Sequence, residues 1–587
     1  MSTYALWHAR SRVGVVAVLV ALVIGAAGCR AAMRGPSMPA GATTDITLTA
    51  RLLSMTDQRQ VDTTVIDAAL ASPDRALRAR AALAIGQVKA RTRFPRLREL
   101  LLDGDTAIAA NAAFALGIGK DTLSVLALAR AIGGAPDAVA REAAWSLGEI
   151  GEPARTALTT ALGDRAAQPL ATSPLAARAP MVRAAAVLAL FKLRPVPVSA
   201  LTPWLADSSS EVARAAAYVV GRVRVGGAIR PLLALRTSSD EEVRQHVARA
   251  LTRATVGDSL ADNARNALLV LVRDSSERVR VNAVRSLETF GPSVAKAVLP
   301  LLRDPAPNVR VATSEALPEV LARDTTAWRA AWESDTALVV RRTILQHVRR
   351  LQLPLFAGLE SKWATSSDWQ YRVAALGEGG TATGAPSRDT TLARSLLRDG
   401  DARVQRAARA RLGIRDSSAR RERNSPPVAR PLGEYEALVR AWVVPGAPQP
   451  RAVIETDHGN VTLELFGRDA PLIVEAFVRL SRNGSYQNSI FHRVVPNFVV
   501  QDGDPTGDGS GDAGFALRES WTRQRHGRGC VGLATAGPDT GGSQYYLCHS
   551  PQPHLDGGYS VFGRVVDGFA VMDRIVQGDR MLRVRVP

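Results

Sequence analysis

Cysteine is almost missing. Three residues in 587, Cys29, Cys530 and Cys548, exclude a disulfide-stapled scaffold. Aromatic residues amount to 5%, too sparse for the stacking platform of a single-strand nucleic-acid binder. The eight histidines fall into no metal-ligand spacing: His549 and His554 lie near Cys548 but have no partner pair elsewhere, so neither a metal nor a cofactor is expected. Long apolar stretches are scarce as well. The run VGVVAVLVALVIGAA, Val13 to Ala27, has 15 residues, short of the roughly 20 that span a bilayer as a helix.

That run follows the basic MSTYALWHARSR and ends on AAGC, which is the layout of an export signal over residues 1–28. The small residues before Cys29 resemble a bacterial lipoprotein box, with Ala26 where leucine is usual. The resemblance implies acylation of Cys29 as the mature N-terminus, followed by Arg30 and a linker over 30–45. It also implies a lipid-anchored chain in the bacterial cell envelope, facing the periplasm, with the outer membrane favoured. An uncleaved signal anchor is the alternative. Cys530 and Cys548 then read as one bridge or as two buried apolar residues.

A net charge of +19 and a pI near 10.8 would suit an anionic polymer or lipid surface. The basic residues, however, are almost all arginine and evenly spread, so they read as a solvated surface. No specific nucleic acid is expected.

Three stretches repeat one phrase: ARAALAIGQV, AANAAFALGIG and AREAAWSLGEIG, with Gly86, Gly117 and Gly148 spaced 31 residues apart. Leu77, Ala81, Ala84, Ile85 and Val88 share one helical face, and one period later stand Ile108, Ala112, Ala115, Leu116 and Gly119. Asp74 and Asp105 precede these faces as helix caps. Later copies such as EVARAAAYVVGRV and RVRVNAVRSLETFG drift, giving about eleven units over 46–414. Units of this length cannot bury an apolar stripe alone, so they stack into a solenoid. They resemble the HEAT-like repeats, which implies an all-α solenoid with a concave surface for a client or partner protein. The step slips at the proline-bearing insert 164–180, and a Pro- and Arg-rich connector occupies 415–450.

From Arg451 the period changes from 3.6 to 2. RAVIETDHGNVTLELF reads as a hairpin and APLIVEAFVRLSRNG as a helix, with glycine turns throughout. The segments FHRVVPNFVVQDGDP, GLATAGPDTGGSQYYLCHS and HLDGGYSVFGRVVDGFAVMDRI resemble the cyclophilin-type peptidyl-prolyl isomerases over 451–587. This resemblance implies a closed β-barrel with flanking helices and a proline-containing polypeptide as substrate. It puts the catalytic role on Arg493, with Gln501 and Phe498. It places the proline pocket on Phe498, Val499, Tyr546, Leu555 and Tyr559, and the backbone groove on Gly509, Ala534, Thr535, Ala536 and Gln544. Val499, Thr535, His554 and Tyr559 depart from the family's methionine, asparagine, tryptophan and histidine, and the lost tryptophan puts cyclosporin binding in doubt. Gly509, Gly511 and Gly514 match a dinucleotide pattern, but no helix-forming periodicity follows. Two other classes remain: a catalytically weak proline-peptide scaffold, and a basic anionic-polymer or lipid binder.

Overall fold

The computed structural model describes residues 45–163, 173, 175–321, 325–351, 353, 358–377, 390–414, 430–511 and 513–587. The signal segment, Cys29, most of the 164–180 insert and residues 415–429 of the connector lie outside them. No helix among the described residues is long and apolar enough to cross a membrane.

Helices Arg75–Gln87, Thr106–Ile118 and Asp137–Ile150 start one repeat apart. The Asp74 carboxylate accepts from the Ala76 amide, and Asp105 accepts from Ala107 and Ile108. Each cap satisfies amides that the helix leaves unpaired. Leu77, Ala81, Ala84 and Ile85, with Ile108, Ala112, Ala115 and Leu116 one period on, are buried in one continuous core. The repeated glycine has a steric cause. A Cβ on Gly86 would lie 2.6 Å from the Ala115 Cα, one on Gly117 2.9 Å from the Ser146 Cα, and one on Gly148 3.0 Å from the Ala189 Cα. Successive helices therefore touch backbone to backbone. Ala189 falls later than another period would place it, because the insert takes up the slip.

Some of the arginines are structural ties and not part of a solvated surface. Arg183–Asp207, Arg244–Asp274, Arg280–Asp304, Arg310–Asp335 and Arg372–Asp399 are bidentate pairs between consecutive repeats. Each of these aspartates also accepts the backbone N–H two residues further on. Most of their side-chain surface is covered. Part of the even spread of arginine thus reflects a tie that recurs between consecutive repeats. Long charged side chains can lie along packed surface in this way while keeping their heads bonded.

The carboxy-terminal domain is a nine-stranded antiparallel sheet: β1 Arg451–Thr456, β2 Gly459–Leu465, β3 Ser489–Ile490, β4 Arg493–Val495, β5 Val499–Asp502, β6 Cys530–Leu533, β7 Tyr545–Cys548, β8 Val561–Asp567 and β9 Arg580–Arg585. The spatial order is β3-β9-β1-β2-β8-β6-β7-β5-β4. Its two edge strands, β3 and β4, are separated in the chain only by Phe491 and His492. The chain itself therefore carries one edge to the other and curls the sheet around its core. Helix Pro471–Arg482 packs Ile473, Phe477 and Leu480 into that core, with the Phe477 ring 5.3 Å from Tyr545 and 5.5 Å from Phe562.

This domain lies against the second helices of the repeats. The Arg59 guanidinium sits 4.6 Å over the Trp521 ring and 2.8 Å from Asp539. Arg525 pairs with Glu142 and lies 4.8 Å over Trp145. Asn497 donates to the Arg278 carbonyl at 2.7 Å, and Asn308 to the Asp573 carbonyl at 2.7 Å. Gln370 donates to the Gly578 carbonyl at 3.1 Å, and Arg406 pairs with Asp508 at 3.2 Å. Contacts thus run from the first repeat to the last. The face of the repeats that carries these residues is covered by the protein's own domain. This also accounts for helix Thr106–Ile118, which is buried nearly all round as an apolar helix without a polar face must be. The described part of the connector, from residue 430 on, is packed too. Its helix Leu432–Leu438 returns to helix Ile46–Gln58, where buried Tyr435 donates to Asp57 at 2.7 Å and packs with Ala50 and Leu53.

Candidate active site

β4 and β5 pair antiparallel with Arg493 opposite Gln501, Val494 opposite Val500 and Val495 opposite Val499. Alternation sends Val494 and Val500 into the domain core and leaves Arg493, Val499 and Gln501 on the outer face. A charged side chain in an apolar run is therefore a consequence of period 2. The Arg493 guanidinium donates to Gln501 Oε1 at 3.1 Å and lies 5.5 Å from the Phe498 ring centre. Gln501 Nε2 in turn donates to Gln544 Oε1 at 3.0 Å, and Gln544 Nε2 to the Gly511 carbonyl at 2.7 Å. Burial draws Arg493 down from its ordinary pKa, while Tyr559 nearby acts in the opposite sense.

Val499, Tyr546, Leu555, Cys530, Cys548 and Val561 form an apolar cluster separate from the domain core, with Phe498 and Ala534 against it. Tyr546 stands across from Gly532, where a Cβ would come within 2.2 Å of the tyrosine ring. Only glycine leaves room for that ring. Behind it, the Tyr546 hydroxyl is 2.9 Å from His526 Nε2, and His526 Nδ1 is 2.8 Å from the Asp556 carboxylate. A carboxylate only accepts, so Nδ1 carries a proton and points it at Asp556. Cys530 and Cys548 are buried free thiols 3.1 Å apart, and burial pushes the Cys530 thiol well above its usual range.

The glycine loop is organised by one acid. Asp504 accepts from the Thr506 amide at 2.8 Å and the Asp508 amide at 3.0 Å, and also from the amides of Gly509 and Gly511. No helix opens after it among the described residues, so the loop shapes a groove rim and cannot place a pyrophosphate at a helix end.

Residues 451–586 match the model of the cyclophilin type peptidyl-prolyl cis-trans isomerases, and residues 63–148 match that of HEAT repeats. A peptidyl-prolyl cis-trans isomerase of Synechococcus elongatus is 41% identical over 138 residues, which is 23% of this chain and 95% of that protein. The chain belongs to the cyclophilin-type peptidyl-prolyl cis-trans isomerase family. A peptidyl-prolyl cis-trans isomerase of Helicobacter pylori is 46% identical over 132 residues, 22% of this chain and 81% of its own length. The Bacillus subtilis peptidyl-prolyl cis-trans isomerase B is 40% identical over 132 residues, covering 22% and 92%.

The isomerase domain brings the residues singled out from sequence onto one surface. Arg493, Phe498, Gln501 and Gln544 are contiguous. Val499, Tyr546 and Leu555 belong to the apolar cluster beside Phe498, with Ala534 packed against it. Gly509 accepts from Gln544 at 3.4 Å, and the Ala534 amide donates to the Gln544 carbonyl at 3.0 Å. The Ala536 amide donates to Thr540 at 2.9 Å, which leaves Thr535 between two anchored neighbours. Tyr559 is 36% exposed at the rim. His554 stacks on Phe498, ring centres 5.8 Å apart, and its Nδ1 is 3.1 Å from the hydroxyl of Tyr218 on helix Ser210–Val223. Burial, reinforced by Arg222 and Arg249, pushes His554 down to about 3, so it is neutral at physiological pH. Burial raises Tyr218 to about 12. Sequence reasoning missed Tyr218, His526, Asp556 and Asp504. Phe114 and Trp145, stacked at 4.6 Å under Arg525, were the available signal that the inner face of the repeats is covered.

Proposed function

We propose that the isomerase domain turns Xaa-Pro bonds of exported polypeptides in the bacterial cell envelope, using Arg493 as its catalytic group and Phe498, Val499, Tyr546, Leu555 and Tyr559 to seat the proline. The observation that carries this reading is the Arg493 guanidinium, tied to Gln501 on one side and poised over Phe498 at the pocket edge. Rotation about an amide is resisted by about 18–20 kcal/mol, and Xaa-Pro bonds turn over unaided in tens to hundreds of seconds. No covalent bond needs to break. A catalyst has only to bind the twisted amide better than either planar isomer. Twisting leaves the proline nitrogen pyramidal and basic, and a preorganised N–H donor then gains a bond that the planar form does not offer. Gln501 and Gln544 hold the donor and the peptide backbone. The groove residues Gly509, Ala534, Thr535, Ala536 and His554 fix the flanking chain.

The envelope assignment rests on the Val13–Ala27 run and on acylation of Cys29 directly after it. Intact-mass analysis of wild type and Cys29→Ser tests it: processing to Cys29 plus a lipid mass, lost in the variant, is the expected result. Since the repeats hold the isomerase on their inner face, client or partner binding by the solenoid is proposed for the rim of the groove and the outer face. Exchange NMR on a proline peptide with the full chain tests the central reading. Acceleration that Arg493→Ala removes while binding persists is expected. Binding with no acceleration in wild type would leave a proline-peptide scaffold.

A further inference from the structure

The repeats place charge as well as Tyr218 beside the proline pocket. Tyr218 and Arg222 stand one turn apart on helix Ser210–Val223. The next repeat helix, Glu241–Ala250, packs so closely that a Cβ on Gly221 would lie 3.7 Å from the Arg249 Cβ. His246, one turn before Arg249, meets Tyr218 edge-on with ring centres 5.3 Å apart. Two guanidiniums are thus carried beside the tyrosine that touches His554, and both act electrostatically on that histidine.

These two arginines differ from the others of the inner face. Arg285 donates to the Pro496 carbonyl and pairs with Glu315, and the inter-repeat arginines each hold an aspartate. Neither Arg222 nor Arg249 meets a carboxylate among the described residues. Burial draws Arg249 down most, Arg222, Arg285 and Arg224 act in the same sense, and Tyr218 acts in the opposite one. A partly buried cation among like charges is unfavourable without an anion, and Asp556, the carboxylate that acts on Tyr218 and His554, is already engaged by His526 and Arg525. The ligand that passes this wall is the peptide seated in the groove.

We propose that Arg222 and Arg249 form a subsite for an acidic side chain, so that the protein selects proline-containing segments with an aspartate or glutamate close to the proline. The inference rests on reading the groove as the peptide site. At about 3.3–3.6 Å per extended residue, the carboxylate would stand about one to three residues from the proline.

The test uses the full chain and two peptides identical except for Glu or Gln beside the Xaa-Pro bond. Titration gives the binding ratio, and exchange NMR gives the isomerisation ratio. The Glu peptide is expected to bind about three- to tenfold tighter at low salt, with the advantage shrinking as salt is added. Arg222→Gln, at an exposed position, and Arg249→Gln should each move the ratio towards one, and Arg222→Lys should keep part of it. Equal binding of the two peptides by wild type, or an unchanged ratio in both Gln variants, overturns the subsite. If the Glu preference holds while neither peptide is accelerated, the subsite stands and the isomerase reading of the groove falls. If both peptides are accelerated alike and bound alike, the reverse applies.

Discussion

Among the described residues Arg493 makes one side-chain hydrogen bond, to Gln501 at 3.1 Å, so most of its donor fork is free to meet a substrate. Arg493→Ala is expected to lower kcat/KM on an Xaa-Pro peptide about a hundredfold, the usual scale for losing one preorganised donor. Arg493→Lys should recover little, because an ammonium lacks the planar fork. Both are read by exchange NMR. Tyr218→Phe removes the hydroxyl next to His554 and leaves a half-buried ring nitrogen unpaired, at a cost of about 1 kcal/mol. The expected effect is a raised KM with kcat little changed. Adding His554→Phe should cost less than the two single changes together, which a double-mutant cycle measures. His246 supplies a pH test. Burial holds it at about 3 against an ordinary value of 6.5, so on acidification the unfolded chain takes up the proton first. Its contribution to stability is complete above about pH 6.5 and is lost as pH falls towards 3. Glu277 and Glu519, raised by burial to about 7, act in the opposite sense over part of that range. The readout is therefore the Tm difference from His246→Gln, and the variant should gain on wild type as pH falls from 6.5 to 4.

At the scale of the helix, the repeat is enforced by absence of a side chain. Gly117→Val would drive its Cβ to 2.4 Å from the Ser146 Oγ, and overpacking of this kind costs about 1–3 kcal/mol or more. Gly104→Ala, where nothing lies within 4 Å, should be near neutral. Chemical denaturation of the two variants checks the contrast. Leu116→Ser, fully buried, should cost on the order of 2–5 kcal/mol and loosen both neighbouring helices. These helices were legible because their information is local: a cap, a face of period 3.6 and a glycine recur at fixed spacing. The strand residues of the site were legible for the same reason, since Arg493, Val499 and Gln501 sit within one hairpin. Tyr218 was not, because it meets His554 from 336 residues away and no local pattern marks a residue by what will be laid upon it. The arginine ties were hidden differently. Each reads as a solvated charge until the aspartate 24 to 30 residues later is folded beside it.

At the scale of the whole molecule, the isomerase domain and the repeats share buried groups. Glu142 has no exposed side-chain surface and is neutralised by Arg525 from the isomerase domain together with Arg141. Arg525→Ala should therefore reduce hydrogen-exchange protection across helix Asp137–Ile150, a repeat helix remote in sequence from the change, as mass spectrometry of the exchanged chain can read. The packed connector adds a constraint in time. Helix Ile46–Gln58 leaves the ribosome early, yet the tyrosine that covers Ala50 and Leu53 and bonds Asp57 is encoded 378 residues after that aspartate. At about 5–20 residues per second, that gap lasts about 20–75 s. For that interval helix Ile46–Gln58 has an uncovered apolar flank, so the first of the described helices to be made is among the last to be finished, and it is there that a nascent-chain holdase would find a long-lived target.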